Sequence, residues 1–537
     1  MKDEHNKRKI AAILEKKLAR RTVLQGLGAA SALGVGGTLL GSHVNPARAA
    51  GGGGHIKLGW INFVDTLDPH FTGFLGAIKV HNNIYNGILK ITYKDRKIAF
   101  EPDLCEAWEV PDEKTNIFRL RDGVHFHNGD PCDAEAVKWS LERVSDPALK
   151  SPHAWKFKTV DRVEVIDRLT VKMTMKQPFA FLPVALLGST GRAGTIVNRR
   201  AVEKWGKDYG RHPVGTGPFM LESWKENDSI VLVRNPNYFE EGLPLLDKVT
   251  IFLMKDRAAA VAALLSGQVD GLDGAPEQFI PQLLKNPDIQ VFGEPEGNYS
   301  HVTLNCGRAP FEDVNMRRAL AWAIDREALV KQAYFGQALP AYTPISPPMA
   351  DFFDPNIADS GRGQRFDLAK AKAFRAKAKD QGEVNPVYMA TERGGTRVAQ
   401  LVMKMVEQVG IKPKLEMMEQ PVYNKRRRDF DFDMFDANWI ADLDPDETIN
   451  PEWHSKGKWN RSQWVNTEFD ALVEEASVIL DPAKRRELYW RAEDILMDEA
   501  PFAVLAHRKV FKIFHKRVKN FTYIPADLLN LHEVSIG

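Results

Sequence analysis

At 537 residues, with 44% hydrophobic and 27% charged positions, the chain has the composition of an ordinary soluble protein, long enough for several structural units and a large core without disulfide staples. Its net charge of +2 comes from the N-terminus: residues 1–49 hold nine Lys/Arg and three Asp/Glu, leaving 64 basic against 68 acidic residues in the remainder. That balance excludes a nucleic-acid footprint, and the brief run Lys425-Arg426-Arg427-Arg428, followed by Asp429, Asp431 and Asp433, reads as a solvated surface turn.

The first 49 residues read as an address. Residues 22–41 are apolar and small, behind a basic stretch ending in Arg20-Arg21 and ahead of Ala47-Arg48-Ala49, an A-x-A cleavage signal. This is the layout of a secretory signal peptide. The segment Arg20-Arg21-Thr22-Val23-Leu24 points to the twin-arginine route, with Val23 where that class usually has Phe. A retained membrane anchor is the alternative, weakened by six glycines between Gly26 and Gly41. No cysteine lies near the cleavage signal to carry a lipid. The glycine pairs here follow no strand and do not read as a dinucleotide loop. Beyond residue 49 no apolar run reaches membrane-spanning length, so a soluble periplasmic protein is expected.

Past Gly51–Gly54, a strand is predicted at Ile56–Trp60. Asp133 is placed to cap a helix carrying Val137, Leu141 and Val144. Leu169, Val171, Met173 and Met175 alternate with polar residues, as do Val249, Ile251 and Leu253 apart from Phe252, the period of half-buried strands. Asp256 is placed to cap a helix that Gly267 ends. Val398, Leu401, Val402, Met405, Val406 and Val409 form an amphipathic stripe ended by Gly410. Asp481-Pro482 supplies the cap and first position of a helix bearing Leu488, Tyr489, Ala492, Ile495 and Leu496. Strand and helix signals mix throughout, so the fold class is α/β with mixed sheets.

Enzyme signatures are absent: there is no G-x-S-x-G, H-E-x-x-H or Walker loop, and no carboxylate pair stands out. His125 and His127 would share one face of a strand, a possible metal pair, but no third ligand lies nearby and Asn128-Gly129 reads as a turn. Of the three cysteines, none forms a CxxC zinc signal. Cys105 with Cys132 is the pair to test for a disulfide, against three buried free thiols as the equal alternative. No metal, cofactor or catalytic set is expected.

Several segments, in order, carry a resemblance. They are Thr66-Leu67-Asp68-Pro69-His70, Ile84-Tyr85-Asn86-Gly87, Pro102–Trp108, and the long block Phe118–Pro131 running into Ala134–Ser140. Pro213–Phe219, Arg234–Tyr238, Leu264–Asp270, Val314–Asp325, Phe469–Leu472 and the Arg485–Pro501 stretch follow. Together they resemble the peptide- and nickel-type solute-binding proteins of ABC importers, family 5, over about residues 56–508, with Asn86 where that family usually has Glu. The resemblance implies a two-lobe periplasmic binding protein fold with an extra inserted domain. Residues 1–49 would be the signal peptide, 55–90, 196–300 and 509–537 lobe I, 91–195 the inserted domain, and 301–508 lobe II. It implies a monomer that is not an enzyme, takes a small-molecule or peptide ligand, and meets an inner-membrane ABC permease. A periplasmic receptor or chaperone uncoupled from uptake, and a hydrolase, are the alternatives.

By the same resemblance, Asn438-Trp439-Ile440-Ala441-Asp442-Leu443-Asp444-Pro445 matches the family's cleft-lining W-x-x-D…D-P segment. Trp439 would wall the site, as in the nickel-type branch, and Asp442 would hold a ligand amino group, as in the peptide-binding members, although the segment is one residue shorter here. Asn438 belongs to the same segment, and Asp444-Pro445 reads equally as a turn. Arg393, before the Val398 helix, suits a ligand carboxylate through its bidentate fork, with a surface pair to Glu392 as the alternative. Phe71 and Thr72 are candidates on the opposite lobe.

Overall fold

The predicted first strand is the innermost of its sheet: in His55–Trp60, Ile56, Leu58 and Trp60 are buried, and the strand runs parallel to Lys248–Leu253 on one side and Gly271–Asp273 on the other. The computed structural model describes residues 53–60, 64–72, 74–95, 97–188, 193–391, 396–440 and 443–537. The N-terminal address, Arg393 and Asp442 lie outside them. Among the described residues, no helix is long and apolar enough to cross a membrane.

Two sheet halves share one strand. The first half continues from Lys248–Leu253 to the antiparallel Ser229–Arg234 and Phe219–Lys225. The second joins Lys414–Met418, Val387–Thr391 and Met434–Ile440, all parallel, to the antiparallel Asn298–Leu304. The shared strand is Phe502–His515: its start pairs with Asn298–Leu304, and its end with Ile289–Pro295 and Gly271–Asp273. The chain therefore passes between the halves twice, at Pro295–Asn298 and within residues 506–509. Each half has its own core, one around Trp60, Ile251 and Phe514, the other around Leu320, Val402 and Leu505. A separate four-stranded sheet, Cys105–Asp112, Thr115–Leu120, Val160–Asp167 and Thr170–Met175, packs on helix Ala134–Ser145 in a third core. The fold is α/β with mixed sheets.

The local signals appear where elementary chemistry puts them. The Asp133 carboxylate accepts from the Ala136 N–H, Asp256 from Ala258 and Ala259, and Asp481 from Ala483 and Lys484. Gly267 and Gly410 sit at φ of 77° and 75°, the left-handed conformation that ends a helix. The run Lys425–Arg428 differs from expectation. It ends a helix, Gln420–Arg428, where cations suit the negative end of the helix dipole and Arg427 lies 4.4 Å from the Phe435 ring centroid. The three cysteines are free thiols, Cys105 and Cys132 buried in one core. His127 is no metal ligand: Gly215 N–H donates to its Nδ1 (3.3 Å) and Nε2 donates to the Gly217 carbonyl (3.0 Å). Burial pushes its pKa to about 4, consistent with that neutral tautomer. Among the described residues, no group of three or more His, Cys, Asp or Glu could hold a metal ion.

A buried ionic hub lies beside the two crossings. Lys512, on the shared strand, meets Asp273 and, at 2.7 Å, Asp527. Lys79 reaches the same two carboxylates at 2.7 and 2.6 Å. All four side chains are under a tenth exposed. Burial alone would raise the Asp273 carboxyl, but Lys512 and Lys79 hold it down to about 2. Glu296 sits in the first crossing, and burial and then Asp527 push its pKa well above the usual range. The Tyr523 hydroxyl lies 3.1 Å from the Glu296 carboxyl and 2.8 Å from the Val510 carbonyl on the shared strand, and donates to one or the other. One phenol thus ties both crossings together.

Replacing Lys512 with Met leaves two buried aspartates with one lysine, and should cost about 3–5 kcal/mol of stability. Tyr523→Phe should cost about 1–3 kcal/mol by stranding the Glu296 carboxyl. Urea midpoints at unchanged slope would report both; variants as stable as the parent would show that the hub does not hold the crossings.

Candidate ligand-binding cleft

In α/β sheets, ligands bind beyond the carboxyl ends of parallel strands. Here those ends are Trp60 in one sheet half and Thr391 and Ile440 in the other. Trp439, next to last in its strand, is half-buried against the core of Tyr299 and Trp453, and its indole N–H donates to the Glu447 carbonyl at 3.0 Å. The ring is therefore fixed. Its anchor begins with Asp444, which caps helix Pro445–Trp453 by accepting from the Asp446 N–H at 2.8 Å, so Asp444-Pro445 starts a helix. Asp444 also takes a buried two-point contact from Arg485, at 2.8 and 3.1 Å. Asp446 accepts from the Tyr489 hydroxyl at 3.0 Å, and burial followed by the neighbouring Asp444 charge raises its carboxyl to about 7. This network was missed in the sequence; the D-P cap was its one visible part.

Asn438 is exposed, points to the sheet face opposite Trp439, and accepts from the Ser300 hydroxyl at 3.1 Å. Nothing else in the described residues occupies its amide.

On the other sheet half, Phe71 is 43% exposed, with the Arg143 guanidinium 5.9 Å from its ring centroid. Arg143 grips Asp68 through both Nη atoms, at 2.6 and 3.0 Å, and donates to His70 Nδ1 at 2.8 Å. His70 Nε2 in turn donates to the Thr195 carbonyl at 2.9 Å. Burial, then Arg143, lower the His70 pKa to about 4, which keeps the imidazole neutral as those two bonds require. Thr72 is fully buried; its hydroxyl donates to Asp65 at 2.6 Å and accepts from the Phe74 N–H at 3.1 Å. Thr72 therefore fixes the loop that displays Phe71.

The helix behind Trp439, the residue Leu443 before it and the helix Thr467–Val478 also touch the four-stranded region. Lys156 Nζ lies 3.7 Å from the Glu447 carboxylate, Ala180 N–H donates to the Ser477 carbonyl at 3.3 Å, and Leu443 packs into that region's core. These contacts tie the segment after Trp439 to the four-stranded region. Around Trp439 and around Phe71 alike, the buried polar groups are committed to holding side chains in place.

Comparison with known proteins agrees. The chain is 30% identical over 474 residues, 86% of its length and 90% of the relative's, to the glutathione-binding protein GsiB of Salmonella paratyphi A. Its fold matches the periplasmic binding protein DppA of Helicobacter pylori, solved with the peptide STSA, at a TM-score of 0.77 and 24% identity, over 90% of this chain and 98% of that one. It matches the ABC transporter substrate-binding protein CtaP of Listeria monocytogenes at a TM-score of 0.80 and 21% identity, over 90% and 99% of the two chains. Residues 99–460 match the family described as bacterial extracellular solute-binding proteins, family 5 Middle. The protein is a solute-binding protein rather than an enzyme, and it belongs to family 5 of the bacterial extracellular solute-binding proteins.

Proposed function

We propose that this protein captures a small solute, a peptide or peptide-like compound, by closing two lobes on it, and delivers it to an inner-membrane ABC permease. The observation that carries the reading is the double passage of the chain between two sheet halves with separate cores. Two crossings allow rotation about one axis while each half stays folded, and a ligand that touches both halves favours the shut arrangement. Lobe I comprises 55–90, 196–300 and 509–537, lobe II 301–508, and the inserted domain 91–195. Trp439, Asp442 and Arg393 contact the ligand from lobe II, while Asn438 points to the opposite face of the sheet. Phe71 meets it from lobe I, on the loop that Thr72 holds. Relatives named for glutathione binding, or solved with a peptide, favour a peptide-like ligand. The protein works as a monomer in the periplasm, exported through the Arg20-Arg21 signal within residues 1–49.

Mass spectrometry of compounds released from the purified protein by denaturation should return one peptide-like class. For that ligand, Trp439→Ala should weaken binding at least tenfold by calorimetry with little change in thermal midpoint, since an aromatic wall contributes about 1–3 kcal/mol. An unchanged dissociation constant removes Trp439 from the site. Exchange of Arg20-Arg21 for Lys-Lys should leave the precursor in the cytoplasm; continued export would reject the twin-arginine route.

A further inference from the structure

Two surface loops meet at the amino end of strand Met434–Ile440, the end away from Trp439 and about 20 Å along the strand from Ile440. One follows helix Gln420–Arg428, and the other spans residues 457–466. Asn305 clamps them together. Its amide donates to the Phe430 and Phe432 carbonyls at 3.0 and 2.9 Å, and its oxygen accepts from Gln463 Nε2 at 2.9 Å.

The cations at this junction divide into two groups. Lys425 pairs with Asp429, Arg426 with Asp431 and Glu416, and Arg308 with Asp433, so the nearby carboxylates are taken. Arg427, Arg428 and Arg461 have no carboxylate within ion-pair distance among the described residues, and Arg427 Nε is covered without an acceptor there. Burial, then the charges of Arg427 and Arg428, lower the Arg461 pKa, so the three guanidiniums feel one another. The helix dipole accounts for cations at residues 425–428 but not for Arg461, which stands on the other loop. Like charges gathered without a counter-charge repel, and the arrangement is favoured once an anion arrives.

Apolar side chains stand among these cations. Trp459 is 45% exposed, with Arg461 and Lys458 at 5.4 and 5.8 Å from its ring, and Val465 is 67% exposed. Phe430 is 37% exposed at φ of 57°, a left-handed conformation that suits Gly or Asn, so the turn alone does not call for phenylalanine. Charge alone would suit any polyanion; the apolar tips favour a bilayer. Guanidinium forks match phosphate oxygens, and Trp, Phe and Val enter the headgroup layer.

We propose that these two loops form a docking surface for anionic phospholipid bilayers, with Arg427, Arg428 and Arg461 on headgroup phosphates and Trp459, Phe430 and Val465 at the acyl boundary. Lipid held at the amino end of Met434–Ile440 leaves Trp439, near the other end, clear for solute. The surface is separate from the cleft and does not depend on the solute-binding reading.

The test is co-sedimentation of the mature protein with vesicles of equimolar phosphatidylglycerol and phosphatidylcholine, and with vesicles of phosphatidylcholine alone. The protein should sediment with the anionic vesicles at low salt, be released at high salt, and leave the neutral vesicles alone. Arg427→Gln, Arg428→Gln and Arg461→Gln together should weaken binding about a hundredfold, from about fivefold per cation at an anionic surface. The same three positions changed to Lys should keep most of it. Trp459→Ala, at an exposed position, should lose about fivefold and guards against misfolding of the arginine variants. Equal binding to neutral vesicles, no binding to anionic ones, or binding kept in full by both the glutamine variant and Trp459→Ala overturns the proposal. So does displacement from the vesicles by inorganic phosphate at matched ionic strength, or retention on heparin or DNA with none on vesicles. Each of these outcomes leaves the solute-binding reading standing.

Discussion

The account depends on how two strands carry the chain between its sheet halves. A crossing that must flex cannot also be the element that keeps each half in order, so the ordering is done beside it, by Lys79, Lys512, Asp273 and Asp527. Buried charges are poor sources of net stability because desolvation offsets much of their attraction. Their use here is geometric: a hub of two cations and two anions has few alternative arrangements. Lys512 belongs to the shared strand and Glu296 to the other crossing, so both crossings leave the first sheet half beside one fixed point, and Tyr523 links them.

The same division recurs at the cleft walls. Trp439 is held through a relay that starts with Arg485 and Asp444 and ends at the Glu447 carbonyl. Phe71 is held through Arg143, Asp68 and His70. In each case a buried arginine–aspartate pair stands one step behind an aromatic ring. A ring ordered in advance needs no binding energy to order it. The bridging contact between Lys156 and Glu447 adds a weaker link of the kind that a rotating pair of bodies can make and break.

Much of the fold was legible in the sequence because its signals are local. The caps at Asp133, Asp256 and Asp481 need only the next few N–H groups, and Gly410 needs only its own φ. The Lys425–Arg428 run was misread because charge density alone does not separate a turn from a helix end. The hub was invisible: Lys79 and Asp273 are 194 residues apart, Lys512 and Asp273 are 239 apart, and no spacing rule links them. Of the candidate site residues, Trp439, Asn438 and Phe71 came from motif order, whereas Thr72 proves to support its neighbour through Asp65.

Small-angle scattering, recorded on the ligand-stripped protein and again at saturation, tests the central claim most directly. The account predicts that stripping enlarges the radius of gyration and that saturating ligand reduces it again. Saturable binding by calorimetry with superimposable scattering curves would contradict it.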